Sequence, residues 1–225
     1  APIVWAVSQF VKDVGLYGSI VLNSAVGGLN PEAVEVAARL GAKIVWMPTQ
    51  TAKNDIRGSG SRGVGVFDEN GSLVTEVYEI LDIVRKFDIA VATGHLGHQA
   101  SFAVIDAARE KGIKKIVYTH AMLGLVGTPL TIEQQRDAVR RGALIEYCAF
   151  SIMPTGEGIR PSVFAAAIKE VGAANCIIST DMGQTFSPSA PEGMRLMIAA
   201  MLRAKVSESD VELMVRTNPR QLLGL

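Results

Sequence analysis

The chain is poor in cysteine, has no net charge and contains no long apolar run. Only Cys148 and Cys176 occur, each inside an apolar, strand-like stretch. That speaks against a disulfide framework and for buried thiols in a reducing, cytoplasmic setting. Lys and Arg total 22 against 22 Asp and Glu, so the overall charge calls for neither nucleic acid nor an anionic membrane as partner. Small molecules, other proteins or a second copy of the chain remain as partners. Although 48% of residues are apolar, no run approaches the roughly 18 uncharged positions that a spanning helix needs. The opening "APIVWAVSQFVKDVG" has no cationic region and no cleavage pattern, so it does not read as a signal peptide. Its apolar residues at 3, 4, 7, 10, 11 and 14 follow a helical period instead. No G-x-G-x-x-G turn follows an early strand, and "GSGSRGVG" has no Lys-Ser/Thr pair behind it. A doubly wound nucleotide-binding fold is therefore the weaker of the α/β alternatives.

What is present is an alternation. Strand-like runs occupy 16–23, 43–49, 89–95, 115–120, 143–150 and 176–181. Between them lie amphipathic stretches with helix signals: Asn30 as N-cap before Pro31, starts at Thr75 and Thr131, and glycine stops at Gly41, Gly112, Gly142 and Gly172. Two further helices close the chain, the second capped by Ser207 with Asp210 three residues on. Near-continuous apolar strands that alternate with helices imply a parallel sheet covered on both faces. At 225 residues the chain suits one domain that buries about 70–75% of its unfolded surface. Residues 50–74 interrupt the rhythm with a Gly/Ser-rich, charged segment containing a "DENG" turn. Either it is a surface insertion with a small hairpin, or it is a lid over the carboxyl end of the second strand.

The strand ends carry the chemistry. The chain holds 3 histidines, and two of them, His95 in "VATGH" and His120 in "IVYTH", end strands. Asp181 in "IISTD" ends the sixth strand. In parallel α/β folds all carboxyl ends open on one face, where ligands bind. Two imidazoles and a carboxylate that converge there match the donors a divalent metal needs. A lone strand-end His is as well explained by packing, and a lone Asp by helix capping; the coincidence of three carries the site reading. His98 either joins the site or begins the next helix. Glu146 lies mid-strand on one face with Leu144 and Cys148, and points either toward the site or at a neighbouring cation. Asn23 and Thr49 end the first two strands and either bind substrate or cap. Neither cysteine is set at a strand end beside a histidine, which disfavours thiol catalysis.

With "IVYTHA", "IISTD" and the tail "VRTNPRQLLGL" in view, the sequence resembles the amidohydrolase superfamily of metal-dependent (β/α)8 TIM-barrel hydrolases. "GSIVLNSAVGGLNPEAVEVAARLGAKIVWMPT", "ATGHL" and "STDMGQ" are similar, more narrowly, to an uncharacterised bacterial family of predicted hydrolases. The resemblance spans essentially the whole of 1–225 as a single domain. It implies that His95, His120 and Asp181 are metal ligands and that Asp181 is also the catalytic base. The cofactor it implies is one or two divalent ions, zinc first and manganese second. The implied reaction is attack of an activated water on an amide, ester, lactone or phosphoester of a small molecule. The superfamily's first strand carries a His-x-His pair, and this sequence has none. On that pattern the six strands are the third to eighth of a barrel whose first two units are absent. The competing expectation is a catalytically incomplete barrel that binds a ligand or partner.

Overall fold

A computed structural model describes residues 1–55, 63–127 and 129–225. Its strands are β1 (Gly18–Val21), β2 (Ala42–Trp46), β3 (Ala90–Ala92), β4 (Ile116–Tyr118), β5 (Ala143–Cys148) and β6 (Cys176–Ser179). They form one parallel sheet in the order β1-β2-β3-β4-β5-β6. Sequential order without reversal is that of a singly wound barrel wall; a doubly wound sheet would reverse its order and place a switch point between two strands. The nucleotide-binding alternative falls with this topology.

The helices that cross between strands are α2 (Pro31–Arg39), α3 (Thr75–Phe87), α4 (His98–Glu110), α5 (Ile132–Arg140) and α6 (Pro161–Val171), followed by α7 (Ala190–Arg203). Their boundaries follow the local chemistry. The Asn30 side chain accepts from Ala33 N at 3.1 Å, and Thr131 and Gln134 form a reciprocal capping box. The closing segment forms α8 (Glu208–Glu212) and α9 (Asn218–Leu223), joined by a π turn over Leu213–Thr217. The sequence pattern predicts one helix there. Pro219 lacks an N–H and its ring crowds the carbonyl four residues back, so the helical ladder widens just before it.

Side-chain alternation sorts the sheet into two faces. Val45, Val91, Ile116, Ile145, Tyr147 and Ile178 pack beneath the helices in the main core. Ala90, Ala92, Val117 and Ile177 face the other way, with Trp46 and Leu144 against them and Leu222 of α9 plugging one end. Glu146 and Cys148 share the parity of Leu144, so β5 brings a carboxyl and a thiol onto this inner face.

The first helix departs from expectation. The first helix, α1, stops at Ser8 (Pro2–Ser8) instead of running through residue 14. Its large apolar side chains are poorly covered: Ile3 is 79% and Trp5 54% exposed, and a short helix without packing is marginal. In the 50–74 segment, residues 56–62 lie outside the described residues. Beyond them the expected hairpin is present: Phe67 bridges Leu73, and Asp68 Oδ1 accepts from Asn70 N and Ser72 N. No helix among the described residues is long and apolar enough to cross a membrane.

Gly94 shows how tightly the strand ends are built. Its φ is +60°, and a side chain there would run into the carbonyl oxygens of Met47 and Pro48 beyond β2. The Gly94→Ala variant should lose about 3 kcal/mol from backbone strain and the clash, or roughly 6–12 °C in Tm for a domain of this size. Thermal unfolding checks it; a Tm within 2 °C of the parent would show that the strand end yields freely.

Candidate active site

The carboxyl ends of β3, β4 and β6 repeat one device. Thr93, Thr119 and Thr180 follow the strands, and the next residue in each case has a left-handed backbone: Gly94 at φ 60°, His120 at φ 52° and Asp181 at φ 52°. Gly94 N donates to Thr119 Oγ1 and Thr119 N donates to Thr93 Oγ1, each at 3.0 Å. The hydroxyls thus replace ladder bonds where the strands stop. Left-handed backbone costs a non-glycine residue roughly 1 kcal/mol or more. Asp88 and Lys205, the other non-glycine residues with positive φ among those described, follow the C-terminal turns of α3 and α7. Strain at His120 and Asp181 has no such local reason and is typical of functional sites.

The device gathers the expected residues. His95 and His120 have ring centroids 5.4 Å apart, and His120 Nε2 lies 3.8 Å from Asp181 Oδ2. Both rings are backed by carboxylates at Nδ1. His95 Nδ1 is 2.7 Å from Asp55 Oδ2, and His120 Nδ1 is 3.6 Å from Glu146 Oε2. Asn54 Nδ2 donates to His95 O at 2.6 Å, tying the loop that carries Asp55 to the end of β3. With Nδ1 so occupied, a ligand contact by His95 would have to use Nε2. A carboxylate behind a histidine is the usual outer support of a metal-binding imidazole.

These groups line a cleft with a cavity volume of about 540 Å³, walled by Thr49, Leu125, Phe150 and Phe186 and floored by Glu146. Glu146 also accepts from His120 N at 3.3 Å. Burial holds its carboxyl above the ordinary carboxylate range, and the Ser179 hydroxyl and His120 N–H offset this only in part. Burial, then the nearby Glu146 and Asp181 carboxyls, push the Cys148 thiol up to about 12. Cys148 Sγ lies 3.0 Å from Ser151 Oγ. His120, Cys148 and Asp181 place their donor atoms all within 4.8 Å of one another.

Other expected residues sit elsewhere. The Asn23 amide is spent on Thr49 and Thr51, accepting from Thr49 N at 2.9 Å and donating to Thr49 Oγ1 at 2.8 Å. It pins the ends of β1 and β2 together, while Thr49 itself reaches the cleft wall. His98 is the first residue of α4, stacks on Phe102 at 4.6 Å, and lines a separate pocket with Asn54 and Phe67. Asp55 was not among the expected residues, because nothing local distinguishes it within an irregular segment. The exclusion of cysteine from the strand ends is corrected: Cys148 is the last residue of β5 and lies beside His120. Its shared alternation with Glu146 was the available signal. The raised thiol still argues against thiolate nucleophilic catalysis.

Solved structures that resemble this fold include TIM-barrel hydrolases. An amidohydrolase from Pseudomonas aeruginosa superposes with a TM-score of 0.63 at 18% identity, over 86% of this chain and 67% of that one. A TatD homologue from Escherichia coli gives 0.60 at 14%, over 100% and 82%. An organophosphorus hydrolase from Deinococcus radiodurans gives 0.55 at 13%, over 89% and 64%. The fold is therefore that of the (β/α)8 TIM-barrel hydrolases, with six parallel barrel strands in this chain. The chain belongs to the family of unknown function DUF6282, whose pattern matches residues 1–146. It is also 30% identical over 142 residues to a UDP-N-acetylglucosamine-N-acetylmuramyl-(pentapeptide) pyrophosphoryl-undecaprenol N-acetylglucosamine transferase from Nitratidesulfovibrio vulgaris. That match covers 62% of this chain and 35% of the transferase, so the chain spans about a third of that relative's length.

The buried acid makes a pH signature. Between the ordinary carboxylate range and its raised folded value, Glu146 holds a proton that the unfolded chain has released. The folded state then binds more protons, so stability falls as pH rises through that window, by at most about 1.4 kcal/mol per pH unit for one group. Metal-stripped Glu146→Gln cannot ionise there, and its stability relative to the parent should climb from pH 4.5 to 8. Urea unfolding across that range measures it; a difference that stays flat with pH would show Glu146 to be an ordinary carboxylate.

Proposed function

We propose that the chain is a metal-dependent hydrolase domain acting on a carbonyl or phosphoryl group of a small molecule. The observation that carries this reading is the delivery of His95, His120 and Asp181 by neighbouring strand ends into one cleft, with a carboxylate behind each imidazole. The cleft volume of about 540 Å³ suits a small molecule. The donor chemistry fits a divalent ion, zinc first. His120 and Asp181 would hold it, with His95 facing them from its brace on Asp55. Such an ion, when bound, acidifies water toward neutrality and polarises the scissile carbonyl or phosphoryl oxygen.

The protein's own groups divide the remaining work. Asp181, with 38% of its side chain exposed, is the group that can take a proton from water in the cleft and return it to the leaving group. The Asp55–His95 pair orients the second imidazole toward the same space. Glu146, its carboxyl raised by burial, supports His120 from beneath and accepts from its backbone N–H. Phe150, Phe186 and Leu125 shield the reacting atoms from bulk water and offer an apolar wall to the substrate.

The test pairs elemental metal analysis with turnover of amide, lactone and phosphoester panels. Asp181→Asn should lower turnover by at least about 10³-fold. Tm should stay close to the parent value, because Asn accepts a left-handed backbone as readily as Asp. Retained turnover would remove Asp181 as the base. Stoichiometric metal without turnover on any panel would favour a second reading, a ligand-binding barrel.

A further inference from the structure

We propose that Cys148 is a metal ligand alongside His120 and Asp181, so that the centre prefers zinc, cobalt or cadmium to magnesium, calcium or manganese. This rests on the reading of the cleft as a metal centre and specifies its donor set.

The geometry starts from the sheet. β4, β5 and β6 are hydrogen-bonded neighbours, and adjacent strands lie about 4.8 Å apart. Side chains at the same level on three such strands can meet at one point. Cys148 pairs in register with Ser179 at the end of β6. His120 lies two residues beyond the last residue of β4, and Asp181 two beyond that of β6. The left-handed turns at His120 and Asp181 bring their donors back to the level of the sulfur. All three donor atoms lie within 4.8 Å of one another. A tetrahedral zinc with bonds of about 2.0–2.3 Å sets its ligands roughly 3.3–3.8 Å apart, so closure requires about 1 Å of side-chain movement.

The two cysteines contrast. Cys176 belongs to the main core under the helices, and its thiol donates to Gly172 O at 3.3 Å. That is the setting of a packing thiol. Cys148 has an apolar side formed by Leu123, Val126 and Phe150, while its sulfur meets Ser151 Oγ and the imidazole and carboxylate opposite. Apolar cover on one side and convergent donors on the other are what a buried ligand needs. Thiolate adds softness that a set of imidazole and carboxylate lacks, which shifts preference toward borderline-soft ions. Binding breaks the S–H bond, forms a sulfur–metal bond and passes the proton to solvent.

The test is titration of cobalt(II) into the metal-stripped full chain. The parent should show a thiolate-to-cobalt charge-transfer band in the near ultraviolet that saturates at one equivalent. Cys148→Ser should lose that band yet keep visible cobalt transitions from the remaining ligands, and Cys176→Ser should keep both. Zinc affinity should fall at least about 100-fold in Cys148→Ser, whereas manganese affinity should change little. Cys148→Ala, checked for an intact thermal transition, guards against a serine that still coordinates or a variant that misfolds. Cobalt bound by the parent without the band, or a band that survives in Cys148→Ala, would overturn Cys148 as ligand and leave the metal reading standing. A folded parent that binds neither cobalt nor zinc would overturn both.

Discussion

The hydrogen bonds exchanged among Thr93, Gly94 and Thr119 just beyond β3 and β4 set the geometry of the cleft. A parallel ladder cannot simply stop without stranding backbone N–H groups, and buried donors of that kind are costly. Threonine hydroxyls take them over at the sheet's edge, and the chain is then free to turn sharply into left-handed backbone. Gly94 turns without strain; His120 and Asp181 turn against it, and the packed sheet beneath holds them there. His120 owes its place to this termination, and Asp181 makes the same left-handed turn beyond β6.

Electrostatics in the cleft follows from how deep each acid sits. Asp55 is buried against the His95 ring and Glu146 beneath the His120 ring, while Asp181 at the mouth is open to water. Desolvation disfavours charge on Glu146, whereas a water-facing carboxylate pays little of that penalty. Two adjacent strands, β5 and β6, therefore set a buried carboxyl and a more exposed one on either side of the same imidazole.

The wall of the barrel was legible because its signals are local. Near-continuous apolar runs, the Asn30 and Thr131 caps and the glycine stops each act within a few residues; five of the six strands lie inside the stretches that pattern marks out, and β2 starts one residue before its own. His95, His120 and Asp181 were legible because strands end at them and topology gathers strand ends. Asp55 was not, since it reaches His95 from 40 residues away through a segment with no periodic pattern. His98 follows His95 closely in sequence, yet α4 carries it off to Phe102. Cys148 read as core, because a thiol in an apolar run has the same sequence signature whether it packs or coordinates.

The amino-acid order alone thus determined an alternating α/β chain, the strands that compose its sheet and three of the residues that meet at its edge. Short-range hydrogen bonding, capping and side-chain period are enough for that. Which carboxylate backs which imidazole, the burial that raises the Glu146 carboxyl and the meeting of Cys148 with His120 and Asp181 were decided only by the tertiary structure. These depend on strand register, on the left-handed turns and on desolvation, and each arises from residues far apart in the chain that become neighbours only when the sheet has formed.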